Sequence, residues 1–489
     1  MIYFKENPLE KEDFLCLLLN FYSSKAKKII EEVKVMFFKR IETEGLAHYS
    51  YILADGNQGV VIDPRRDVDV YLDIAKKNSF KIKYVLETHR NEDYVVGSTK
   101  IGSLTGAKIY HADRELDYNY GQELKEGKRY KFGDYELEAI NTPGHTPDSF
   151  SFVLYNKEKE PWMVFTGDLL FAGDVGRVDL LGEDMVPEMA GRLYDSIYGK
   201  ILPLGEEVLL WPAHGTGSAC GSEIADRKWT TIGLEKKLNH QLNYESRDNF
   251  IKDVGEMGDK PNYFEKIEKM NLKDNSAKEQ AIIEPLTPPE FEEKALKEDT
   301  IILDTRKETA FAAAHIGDSL FIWEDRLAKF AGWFLPLDKE ILIVSDNSYP
   351  QREMDTLYRM GFDKPGGYLK GDLLSWHMTG RKSEAVNMVN VTKACSILDK
   401  RNEAFLLDVR KDEELEKEGK ILGAANIPLQ QLPDNTHKLS DNKEVYIFCS
   451  SGVRSMIAAS LLRRAGYKKL NVILGGIQNW NSKSCPLER

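Results

Sequence analysis

Short apolar runs broken by Gly, Asp and Pro turns recur through residues 36–215. Tyr49 to Leu53, Gly59 to Ile62, Tyr84 to Glu87, Lys108 to Tyr110, Glu136 to Ile140, Ser149 to Leu154, Met163 to Thr166 and Val208 to Trp211 read as strands. Val70 to Asn78 and Met185 to Tyr198 carry helical spacing instead. This is an α/β region rich in strands, with room for chemistry at strand ends. Residues 216–283 are charged and read as helical, with Lys228 to Tyr244 the clearest helix. Pro285, Pro288 and Pro289 then mark a boundary.

Beyond that boundary the pattern repeats after roughly one hundred residues, too long a period and too few copies for a solenoid. Ile301 to Arg306 matches Phe405 to Arg410, Glu340 to Val344 matches Glu444 to Phe448, and Leu357 to Phe362 matches Leu462 to Tyr467. Gly366-Gly367 with Trp376 matches Gly475-Gly476 with Trp480. Strands alternating with helices in each copy predict a parallel sheet covered by helices. The expected organisation is an extension over 1–35, a first domain over 36–283, and two copies over 284–382 and 383–489. The extension reads as an amphipathic helix or as sequence upstream of a start at Met36. The second is preferred, because the domain pattern begins there.

The 489 residues fit roughly three domains. A hydrophobic share of 42% and a charged share of 30% are ordinary for globular cores. The net charge of −12 argues against nucleic acid as a partner. No apolar run approaches the ~20 residues a bilayer span needs, so no membrane role is expected. Phe14 to Leu19 is short, with no small-residue cleavage site after it. The cysteines (Cys16, Cys220, Cys395, Cys449 and Cys485) are odd in number and far apart, which argues against a disulfide framework and fits a reducing cytoplasm. Any functional cysteine is expected to act as a single thiol.

Candidate metal ligands follow separate strands: His89 in Thr88-His89-Arg90-Asn91-Glu92-Asp93-Tyr94, His145 in Thr142-Pro143-Gly144-His145, Asp168 in Thr166-Gly167-Asp168, and His214 in Pro212-Ala213-His214-Gly215. Turns after strands let such side chains converge. These segments resemble the metallo-β-lactamase superfamily over about residues 36–283. The resemblance implies an αββα sandwich. Its first motif, His-x-His-x-Asp-His, stands here as His89, Asn91, Asp93, Tyr94, so two ligands of a two-metal site are changed. His89, His145 and Asp168 remain, a two-His-one-carboxylate set of the kind that binds non-haem Fe(II) and leaves positions open for O₂ and substrate. The persulfide dioxygenase branch is similar in this respect, and the resemblance implies one Fe(II) per chain. Asp93 and His214 become candidates for roles around the ligands or the substrate. Arg177, in Gly176-Arg177-Val178-Asp179, is a candidate to orient a substrate carboxylate or a neighbouring group. Cys220, in a glycine-rich loop, is a candidate persulfide carrier or a small buried hydrophobe.

In the last copy a strand ends at Cys449, and Ser450, Ser451, Gly452 and Val453 lead to Arg454 and a helix. Loop N–H groups, the helix dipole and the Arg454 charge all favour a thiolate that attacks sulfane sulfur. The loop resembles that of rhodaneses, which implies catalytic roles for Cys449 and Arg454 and a sulfur-binding cradle at 450–453. Asp408 and Arg410 look structural. A phosphatase cradle is similar but longer. In the first copy Ser345 stands where Cys449 would, and Asp346 would repel an anion, so that copy reads as an inactive module.

The order resembles bacterial persulfide dioxygenase–rhodanese fusions across 36–489. The resemblance implies Fe(II)-dependent oxidation of a small thiol persulfide by O₂ to sulfite, with rhodanese transfer making or using thiosulfate. It also makes a homo-oligomer, dimer or tetramer, plausible. Two other readings stay open: a zinc thioester hydrolase of the glyoxalase type, and a sulfur-carrier scaffold with an inert first domain.

Overall fold

The computed structural model describes residues 36–112, 116–218, 220–221, 223–254, 260–261, 263–397, 404–439, 443–481 and 487–488; the 1–35 extension lies outside them. The chain divides into two compact units, the first running to Glu279 (and taking in Arg359–Gly361), the second beginning at Gln280.

The first unit is built on two six-stranded sheets. Strands β1 (Phe37–Thr43), β2 (His48–Asp55) and β3 (Gln58–Ile62) run antiparallel, and β4 (Lys81–Leu86), β5 (Lys108–His111) and β6 (Gln122–Glu123) continue the sheet in parallel. The second sheet meanders antiparallel through β7 (Arg129–Phe132), β8 (Tyr135–Asn141), β9 (Phe150–Tyr155) and β10 (Pro161–Gly167). It then adds β11 (Leu209–Pro212) in parallel and β12 (Thr230–Thr231) antiparallel. Alternating residues bury one face of each sheet against the other: Tyr51, Leu53, Val60, Ile62 and Leu86 meet Phe132, Leu137, Phe152, Phe165 and Trp211 in one apolar cluster. The outer faces are covered by helices. Asp69–Lys77 packs Tyr71 and Ile74 on the first sheet, and Val186–Ser196 packs Met189 and Leu193 on the second. The result is an αββα sandwich, and the β4, β8, β10 and β11 exits supply the candidate ligands.

Two expectations change here. The helix predicted over Lys228 to Tyr244 is confined to Ile232–Leu238. Thr230 and Thr231, both β-branched, pair with Leu210 and Leu209, and the Thr231 hydroxyl accepts from the Leu234 N–H as the helix cap. Asn239 then leaves the helical region and its side chain caps the next short turn. Cys395, expected to be a single thiol, is disulfide-bonded, with its partner outside the described residues. Distance along the sequence sets no limit on which thiols meet once the chain folds. Cys220 and Cys449 are free.

The second unit contains two five-stranded parallel sheets with the same strand order. In the first, the order is Pro285–Leu286, Pro365–Leu369, Glu340–Val344, Thr300–Asp304, Leu320–Phe321; in the second it is Asn387–Val389, Leu470–Ile473, Glu444–Phe448, Ala404–Asp408, Ala425–Asn426. The registers agree too, with Thr300 opposite Glu340 and Ala404 opposite Glu444. In each copy a buried arginine two residues past the fourth strand of the sheet clasps the aspartate that ends that strand: Arg306 Nη2 lies 2.6 Å from Asp304, and Arg410 Nη2 lies 2.7 Å from Asp408. Each guanidinium also donates to a loop carbonyl, Ala314 O or Gly419 O. These pairs fix the loop after the strand, as read from the sequence. No helix among the described residues is long and apolar enough to cross a membrane.

Candidate metal centre and sulfur-transfer loop

His89, His145 and Asp168 converge on one buried point. His89 Nε2 lies 3.8 Å and His145 Nε2 3.7 Å from Asp168 Oδ2, and the two imidazoles meet edge-on with centroids 5.1 Å apart. Both rings are held from behind. The His145 Nδ1 is 2.9 Å from the Arg177 carbonyl, which can only accept, so Nδ1 carries the proton. The Thr88 hydroxyl donates to Asp63 Oδ2 (2.8 Å), leaving its oxygen to accept from His89 Nδ1 (2.8 Å). Each ring is therefore anchored through Nδ1 and turns its Nε2 inward, which is the arrangement of metal-binding histidines. Burial pushes the Asp63 carboxyl up, only partly offset by His89 and the Thr88 hydrogen bonds, to about 6.

His214 does not join the inward set. Its Nδ1 lies 2.8 Å from Asp168 Oδ1 and its Nε2 3.0 Å from Asp93 Oδ2. Burial alone would lower its pKa, but Asp168 and Asp93 outweigh burial and raise it well above the usual imidazole range. An imidazolium clamped between two carboxylates orients Asp168 and uses Asp93. Tyr94 donates to the Asp63 carbonyl (3.3 Å) with its ring over His48, centroids 3.9 Å apart. Asn91 turns its amide to the His89 carbonyl (3.3 Å). Asn91 and Tyr94, which stand where the motif has histidines, are thus bonded to backbone carbonyls.

Arg177 reaches the centre through its backbone. Its guanidinium is paired with Asp179 (2.7 Å on both arms), while its carbonyl holds His145 and its N–H donates to the Cys220 carbonyl (3.1 Å). Its backbone thus supports the neighbouring group His145, one of the two roles expected of this residue. Gly176 is required for this, since a Cβ there would lie 1.8 Å from the Asp168 carbonyl. Cys220 packs with Phe171 and Ile224, and its thiol donates to Glu92 Oε1 (3.2 Å). Burial, and then Glu92, push that thiol well up.

Glu92, Thr88, Asp63 and Asn271 were missed by sequence reasoning. Asn271 donates to the Asn91 and Tyr94 carbonyls (2.8 and 2.9 Å) and clamps the His89 loop from a distant helix. Only Glu92 left a signal: an acid three residues past a ligand, at what the motif treats as a spacer.

The donor set fits a divalent transition ion. His89 Nε2, His145 Nε2 and Glu92 Oε2 are buried polar atoms with no hydrogen-bond partner, all facing the same point. Buried polar atoms are rarely left so unless something absent satisfies them. Two imidazoles with carboxylates suit iron or zinc.

In the last copy Cys449 is buried at the end of its strand and accepts the Gly452 N–H at Sγ (3.1 Å). The helix Val453–Arg464 starts directly behind it, and its first-turn N–H groups have no helical partner. Gly476 (φ +47°) closes the floor: a Cβ there would meet the Cys449 carbonyl at 2.0 Å. The Arg454 guanidinium, expected as a free charge on the cradle, is held bidentately by Glu414 (2.5 and 2.6 Å). Ser450 and Ser451 accept backbone bonds from Gln478 and Gly475. In the first copy Ser345 donates instead to Glu353 (2.6 Å), a fully buried carboxylate.

Residues 43–214 match the family model of the metallo-beta-lactamase superfamily, and residues 287–379 and 392–483 each match that of the rhodanese-like domain. A hydroxyacylglutathione hydrolase of Francisella philomiragia is 34% identical over 171 residues, 35% of this chain; the match spans 63% of that protein's length. The mitochondrial persulfide dioxygenase ETHE1 of Mus musculus is 30% identical over 211 residues, covering 42% of this chain and 74% of that protein. Among solved structures, a metallo-beta-lactamase from Staphylococcus aureus subsp. aureus COL is 27% identical and covers 69% of this chain and 99% of that one, with a TM-score of 0.62. The chain belongs to the metallo-beta-lactamase superfamily, and two rhodanese-like domains follow that domain in the same polypeptide.

Proposed function

We propose that the first domain oxidises a small thiol persulfide with O₂ at one Fe(II) ion, and that the last domain transfers sulfane sulfur through Cys449. The observation that carries this reading is the convergence of two inward imidazoles and one carboxylate, His89, His145 and Asp168, with Asn91 and Tyr94 standing where the motif has two further histidines. The balanced reaction is RSSH + O₂ + H₂O → RSH + SO₃²⁻ + 2H⁺. An Fe(II) ion bound here would supply the O₂-activating chemistry that the reaction needs. His89, His145 and Asp168 hold it. Thr88 and the Arg177 carbonyl anchor both imidazoles through Nδ1, and His214 orients Asp168. In the last domain a Cys449 persulfide hands its outer sulfur to sulfite: Cys449–S–S⁻ + SO₃²⁻ → Cys449–S⁻ + S₂O₃²⁻. The S–S bond breaks, the new S–S bond forms, and the loop N–H groups receive the returning thiolate.

Thioester hydrolysis has one observation in its favour, the likeness to hydroxyacylglutathione hydrolase. Oxygen uptake separates the two readings. The iron-loaded chain given a small-molecule persulfide is expected to consume O₂ and release sulfite or thiosulfate. No uptake by iron-loaded protein, with hydrolysis of a thioester by the zinc-loaded form, would reverse the assignment.

A further inference from the structure

Glu92 faces the centre, yet neither the matched motif nor the three-residue ligand set has a place for it. It occupies a spacer position, between Asn91 and Asp93. Its side chain is fully buried. Oε1 is engaged: it accepts from the Cys220 thiol at 3.2 Å and lies 3.1 Å from His145 Nε2. Oε2 has no partner and faces His89 Nε2 at 3.9 Å. His89, Glu92 and His145 each present a ligand atom within 4.8 Å of the others. A buried carboxylate oxygen without a partner is among the costliest groups a fold can retain. Satisfying it with the cation that two inward imidazoles also await removes that cost.

We propose that Glu92 is a fourth protein ligand of this metal ion, acting through Oε2 while Oε1 is kept by the Cys220 thiol. The inference rests on the single-ion reading above and alters it: the donor set becomes two imidazoles and two carboxylates. Such a set would leave fewer positions for O₂ and substrate than three protein ligands would. Asn91 stands where the motif has its second histidine and bonds its amide to the His89 carbonyl, while Glu92, one residue further on, faces the two inward imidazoles.

The test uses the full chain and Fe(II) alone, added as a ferrous salt under argon, with retention read by competition against a chelator. The second readout is the electron paramagnetic resonance signal of the ferrous protein after adding nitric oxide. Glu92→Ala and Glu92→Gln are each expected to hold Fe(II) at least tenfold less tightly than the parent and to shift that signal. Glu92→Gln keeps the side chain's shape, so it decides the matter if Glu92→Ala does not fold. Unchanged retention and an unchanged signal in the folded variants would overturn the proposal while leaving the single-ion reading intact. A parent chain that takes up no Fe(II), with a His89→Ala variant no different from it, would overturn both.

Discussion

The two rhodanese-like copies share strand order, register and the buried Asp–Arg clasp, yet they treat the end of the same strand in opposite ways. In the second copy the strand delivers a sulfur atom onto a backbone N–H, with the helix beginning at Val453 close behind it. In the first, Pro350 delays the helix to Gln351, and the strand delivers the Ser345 hydroxyl to the buried Glu353 carboxylate, which Thr305 also contacts (2.9 Å). The clasp and the strands are the same in both copies, so the difference is confined to what the end of the strand meets.

The largest expected effect is Cys449→Ser. It should lower thiocyanate formation from thiosulfate and cyanide by about 10³-fold or more, since the nucleophile itself is lost. Residual transfer near the parent rate would mean that the first copy carries the activity after all. Next is Gly476→Ala. The added Cβ would press on the Cys449 carbonyl. Displacing a reacting group by about an ångström costs on the order of 10²-fold, so a drop of at least tenfold with the circular dichroism spectrum retained is expected. The smallest effect is the most telling. Ser345→Cys restores the missing atom but not the environment, and no added transfer is expected in a Cys449→Ser background. A gain there would show that the nucleophile, and not Glu353 and the delayed helix, distinguishes the copies.

Much of this was legible beforehand. Alternating apolar runs located β2 to β5 and β8 to β11, while the short β6 and β7 were not read, and the repeat gave the two parallel sheets. Strand β1 escaped because Lys39 and Arg40 interrupt its apolar residues. The helix after Val208 was overdrawn because Thr230 and Thr231 find partners in a sheet, a tertiary gain that local spacing does not encode. His89, His145 and Asp168 were readable from their places after strands. Glu92 was not, because its significance lies in an oxygen without a partner, and partners exist only in three dimensions. For the same reason Arg454 looked like a free charge until Glu414, forty residues earlier in the chain, was found beside it.

The Phe150 N–H donates to the Thr88 carbonyl (2.7 Å), so the second sheet is stitched to the first at the residue next to His89. Any breathing motion that parts the sheets at this seam also slackens the hydroxyl that aims the imidazole. Opening of the sandwich here and loss of aim at the ion become one event, and a half-open domain holds its cargo no better than an open one.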